Sequence, residues 1–95
     1  MEIIDKIMEH YNEALDELMD AQKYQKLAMH AEQSDDMGMY KNLAKQELEH
    51  EGMIEKSAER ILSGVGAGDM LHKVWHHLKK HLHNWKRDIE HKLEG

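Results

Sequence analysis

The chain contains no proline in 95 residues. Proline is the strongest helix breaker, because it lacks an N–H and clashes with the preceding turn. Without it, an apolar stripe of helical period can run on uninterrupted, and three such stripes are present. From about Ile3 to Gln33 the apolar positions are Ile4, Ile7, Met8, Tyr11, Ala14, Leu15, Leu18, Ala21, Ala28 and Met29, most of them three or four residues apart. From about Asp36 to Leu62 they are Met37, Tyr40, Leu43, Ala44, Leu48, Ile54, Ala58, Ile61 and Leu62. From Asp69 to about Leu93 they are Leu71, Val74, Trp75, Leu78, Leu82, Trp85 and Ile89. Nowhere do four β-branched or aromatic residues alternate with polar ones, so no strand is expected.

Two breaks separate the stripes. Ser34-Asp35-Asp36 offers an N-cap for the second helix. Ser63-Gly64-Val65-Gly66-Ala67-Gly68 alternates glycines and is the clearest boundary, after which Asp69 is placed to cap the third helix. The expected fold is all-α. Residues 1–62 form a hairpin, made antiparallel by its short turn; residues 63–68 form a linker; residues 69–95 form a His-rich amphipathic helix. A chain this short holds one domain with a small core, and often gains stability from a metal or from a second copy.

Charge is unevenly spread. Residues 1–68 hold 15 acidic and 7 basic side chains, net −8. Residues 69–95 hold 4 acidic and 6 basic, net +2, and six of the nine histidines. The acidic bulk would repel nucleic acid. The absence of cysteine excludes disulfides and thiolate chemistry. No apolar run approaches bilayer length, and the acidic start Met1-Glu2-Ile3-Ile4-Asp5 is unlike a secretory leader. A cytoplasmic protein without membrane association is expected. No phosphate loop and no Ser–His–Asp set is present.

The chemistry concentrates in Glu47-Leu48-Glu49-His50, a Glu-x-x-His. Positions three apart share a helix face, so Glu47 and His50 can reach one metal ion. Composition alone yields roughly one such match by chance, so placement carries the weight. Leu43, Glu47, His50 and Ile54 lie on one heptad line, and that line is expected to face the core. Buried charges are paired or bind metal. Glu17 flanks the apolar face of the first helix. It precedes Ser34 by 17 residues, and His50 follows Ser34 by 16, so a hairpin brings them to one height. Gly52, in mid-helix, would let another helix approach closely.

A di-iron carboxylate site takes one glutamate from each of two helices and a Glu-x-x-His from each of two others. This chain offers half that set. Asp69-Met70-Leu71-His72 is too short in its acid to supply the rest. A twofold-related copy would supply it, which makes a four-helix bundle by dimerisation the expected assembly. Oxygen and imidazole donors suit iron or manganese, with zinc a further candidate.

At these residues the sequence resembles the ferritin-like superfamily, and most closely the encapsulated ferritins. The resemblance rests on Glu17, on Tyr24 seven residues later, on Glu47-x-x-His50 beginning thirty residues after Glu17, and on Met53. It covers about residues 10–60. It implies a ferroxidase that oxidises Fe(II) at a di-iron site between subunits, for iron storage or detoxification. Glu17, Glu47 and His50 would be the metal ligands, and Tyr24 a neighbouring tyrosine that belongs to the catalytic set. It further implies rings of dimers enclosed in a protein compartment, with a shell protein as partner. Asp16 matches an acid that guides iron inward; where the family has its companion this chain has Met19, with Asp20 beside it.

The third helix is outside the resemblance. His72/His76 and His77/His81 are i, i+4 pairs able to chelate Zn, Cu or Ni as accessory sites. Two other readings stay open. One is a non-catalytic metal-binding or scaffolding bundle. The other is an interaction module in which the basic third helix, with Trp75 and Trp85, lies on an anionic surface.

Overall fold

Three apolar stripes of this length can cover one another. The computed structural model describes residues 2–64, 66 and 68–95. Among them are three helices and no strand: α1 (Ile3–His30), α2 (Ser34–Gly64) and α3 (Asp69–Glu94). The bundle is elongated, 51 × 20 × 15 Å. No helix among the described residues is long and apolar enough to cross a membrane.

The ends differ from expectation by a few residues. α1 stops at His30, because Ala31 takes an extended backbone (φ −70, ψ 129). α2 begins at Ser34 itself, and the Met37 N–H donates to the Gln33 carbonyl at 3.0 Å. Asp35 and Asp36 therefore sit in the first turn, where the helix dipole favours acids. α2 also runs on through Ser63 and Gly64 of the expected linker. Val65 and Ala67 of that linker lie outside the described residues. Gly66 has φ +60, a left-handed backbone that glycine adopts without a steric penalty. Gly68, not Asp69, is the N-cap of α3, its carbonyl accepting from Leu71 and His72.

One core joins all three helices. Ile7, Ala14, Leu18 and Ala21 of α1 meet Ala44, Leu48, Ala58 and Leu62 of α2, with Trp75, Leu82, Ile89 and Leu93 of α3. The packing of α1 on α2 is the most extensive. α3 lies along one side of this hairpin, antiparallel to α2. Its direction follows from three polar contacts in sequence. Lys79 Nζ donates to Glu59 Oε2 at 2.9 Å, His83 Nε2 bonds Glu55 Oε1 at 2.6 Å, and Lys86 Nζ donates to Glu51 Oε1 at 3.2 Å. Part of the positive charge of α3 is thus matched within its own chain. Trp75 is 4% exposed and Trp85 is half-buried against the core. The indoles that would anchor α3 on an anionic surface instead face the hairpin.

Glu51 is fully buried, and its Oε2 has no hydrogen-bond partner. Burial lifts its carboxyl from 4.5 to about 7, helped by a hydrogen bond and repulsion from Glu55 and opposed by Lys86. A folded-state value above the unfolded one means that its stabilising contribution is complete below about pH 4.5 and is lost as pH rises through about 7. Glu51→Gln stays uncharged throughout. Across that window its unfolding free energy in urea should fall less steeply with pH than that of the wild type. Equal slopes would mean that Glu51 ionises in the fold without penalty.

Gly52 faces Lys86, and a Cβ there would lie 3.6 Å from Nζ, an ordinary contact. In a helix interior alanine is better than glycine by about 1 kcal/mol. Gly52→Ala is expected to raise the thermal midpoint in a circular dichroism melt. A lowered midpoint would show that Lys86 needs the vacant space.

Candidate metal centre

Residues 31–33 connect α1 and α2 too tightly for the helices to slide past one another. Glu17 therefore arrives at the level of Glu47 and His50. His50 Nδ1 lies 3.6 Å from Glu17 Oε2 and 3.9 Å from Glu47 Oε1. One ligand atom from each of the three lies within 4.8 Å of the others. Two metal–ligand bonds of about 2.1 Å end to end span about 4.2 Å, so small rotations would close this set on one ion.

The burial of this group departs from the sequence reading. The Glu47 and Glu17 side chains are 20% and 27% exposed, and that of His50 is 56% exposed. They form the lip of the hairpin, not its centre. The line of α2 that faces the core is Ala44, Leu48, Glu51, Glu55, Ala58, Leu62, one helical position round from Leu43, Glu47, His50 and Ile54. Glu51 and Glu55 are thus the buried acids that the sequence reading missed. Their signal lay in α3, where Lys79, His83 and Lys86 fall three or four residues apart on one face and meet Glu59, Glu55 and Glu51 in reverse order.

The electrostatics favour a cation. Glu17 Oε2 is buried and has no hydrogen-bond donor. The Glu17 carboxyl is lifted from 4.5 to about 7, first by a hydrogen bond shared with Glu47, then by burial and by repulsion from Glu47. His50 opposes the shift and Asp20 adds to it. Crowded carboxyls must share a proton or accept a positive ion.

No protein-family model, curated protein or solved structure matches this chain.

Tyr24 lies two turns along α1 from Glu17, about 10 Å of helix rise. It is half-buried against the core, with Lys23 Nζ 5.9 Å from its ring centre. Asp16 and Asp20 are exposed beside Glu17. The histidines of α3 lie elsewhere. His83 faces α2, and His72 and His76 line a cleft with Glu59, Trp75 and Lys79. His77 and His81 are exposed with their rings together.

In metal-free protein, Glu47→Ala removes the main cause of the raised Glu17 value. Its carboxyl should then titrate much nearer the ordinary glutamate range in a carbon-detected NMR titration. Titration still near neutrality would assign the shift to burial alone.

Proposed function

We propose that this chain is a ferroxidase whose di-iron site is completed by a second copy of itself. The convergence of Glu17, Glu47 and His50 on the face of the hairpin that α3 leaves open carries the proposal. α3 covers the opposite flank through Glu51, Glu55 and Glu59. Half-buried Leu43, Ile54 and Ile61 flank the open group on α2, and Met53 beside it is 64% exposed. A twofold-related hairpin docked there would cover these apolar side chains and bring a matching ligand set. Four carboxylates and two imidazoles suit a pair of Fe(II) ions, with manganese or zinc as competitors.

In this reading Fe(II) is the substrate and O₂ the oxidant: each of two ions gives one electron, and O₂ takes both with two protons. Glu17 and Glu47 hold the ions and offset their charge. His50 supplies the neutral donor. Asp16 and Asp20 add negative charge that draws cations inward. Tyr24 is the neighbouring tyrosine of the proposed site. The resemblance extends the proposal to rings of dimers, enclosed by a shell protein, that store the oxidised iron.

Wild-type protein given Fe(II) in air should speed the rise of ferric absorbance above that of buffer alone. Glu47→Ala and His50→Ala should fall to the buffer rate. Iron should also shift the wild type from monomer to dimer in sedimentation velocity, or find it already dimeric, while Glu17→Ala binds less iron. Oxidation unchanged in Glu47→Ala would reject the proposal. Zinc bound one per chain by a monomer, with no iron oxidation, would favour a non-catalytic metal-binding protein.

A further inference from the structure

The histidines of this chain fall into distinct environments. His10 Nδ1 donates to the Lys6 carbonyl at 2.8 Å, His50 belongs to the carboxylate group, and His83 is bonded to Glu55. His77 and His81 differ from these. They lie on the outer flank of α3, away from α2, and both are exposed. Neither forms a hydrogen bond or ion pair with another described residue. Their ring centres are 5.0 Å apart and the ring planes stand at 84°.

That separation has a chemical meaning. A transition-metal ion bonds an imidazole nitrogen at about 2.0–2.1 Å, which puts the ion about 3.2 Å from the ring centre. Two imidazoles on one ion at angles of about 90–110° then have centres about 4.5–5.2 Å apart. The rings already stand at this distance. Binding asks for side-chain rotation about a broad terminal torsion, with no movement of the helix. The pair is spaced i, i+4 on an unbroken stretch of α3, so the backbone has fixed the separation in advance.

We propose that His77 and His81 form a second metal site, independent of the carboxylate centre, that chelates an imidazole-preferring ion such as Ni(II), Cu(II) or Zn(II). Water fills the remaining positions. The donor chemistry separates the two sites: oxygen-rich ligands on the hairpin favour hard ions, whereas nitrogen donors on α3 follow the series that rises to copper. Lys73 and Lys80 on the same side of α3 oppose an incoming cation, so bonds to nitrogen and not charge attraction supply the affinity. The chelate spans one turn and forms only while that turn is helical, so the ion also stabilises α3.

The test uses the full chain and Ni(II) alone, at about pH 7.5, because metal affinity depends on pH. Calorimetry measures affinity, and paramagnetic broadening of histidine ring signals in NMR locates the ion. Broadening should begin at His77 and His81 together. His77→Ala and His81→Ala should each weaken binding by about tenfold or more, because each leaves one tethered ligand where there were two. Both side chains are exposed, so circular dichroism should show the variants folded. Glu47→Ala and the double variant His72→Ala/His76→Ala should keep the wild-type affinity of this site. Wild-type affinity in His77→Ala, or broadening that begins at any other rings, would overturn the assignment. Loss of ferroxidase activity with this site intact would leave it standing.

Discussion

Close packing of α1 on α2 is the constraint from which everything else follows. Alanine occupies the buried seam on both helices: Ala14, Ala21 and Ala28 on one, Ala44 and Ala58 on the other. Side chains this small let the helix axes lie near the short end of the usual 8–10 Å spacing. Across this seam Glu17 of α1 comes within 3.6 Å of His50 on α2. Larger residues in the seam would widen the hairpin and draw Glu17 away from Glu47 and His50. The tight connection at residues 31–33 sets the height of the meeting, and the alanines set its width.

The hairpin has two acidic flanks, and the fold treats them differently. On one flank Glu51, Glu55 and Glu59 receive Lys86, His83 and Lys79 from α3. Two lysines and a histidine of the same chain answer those acids. On the other flank Glu17 and Glu47 meet only His50, and Glu17 holds a proton up to about neutral pH. Carboxylate crowding lifts Glu51 on the first flank and Glu17 on the second alike, to about 7, but only the first flank has lysines from α3 beside its acids. This contrast, together with the Glu-x-x-His motif, is what supports the open flank as the proposed metal site.

The histidines of α3 divide in the same geometric way. Those on the flank towards α2 take part in docking or line the cleft beside it, as His83, His72 and His76 do. Those turned outward, His77 and His81, are exposed with their rings together. A single helix can therefore serve as a strut on one side and offer ligands on another, because an advance of about 100° per residue separates the two sets within one turn.

Much of this was legible in the sequence. The three helices, the antiparallel hairpin and the level meeting of Glu17 with His50 follow from period, break positions and rise per residue, all local quantities. The line of α2 that would be buried did not follow. Leu43, Glu47, His50, Ile54 and Ala44, Leu48, Glu51, Glu55, Ala58, Leu62 are adjacent lines on one helix, both carrying acids among apolar residues. Choosing between them requires knowing where α3 docks, and that depends on Lys79, His83 and Lys86 thirty or so residues away. The helix boundaries moved for a related reason, since hydrogen bonds at Gln33 and Gly68, not the nearest capping side chain, decided where helices began. The sequence by itself determined the elements and the height at which the ligands meet, because these are set by bonds near in the chain. Which acids are buried and which stay open was decided only by the tertiary structure, because burial depends on the surface that a distant helix brings.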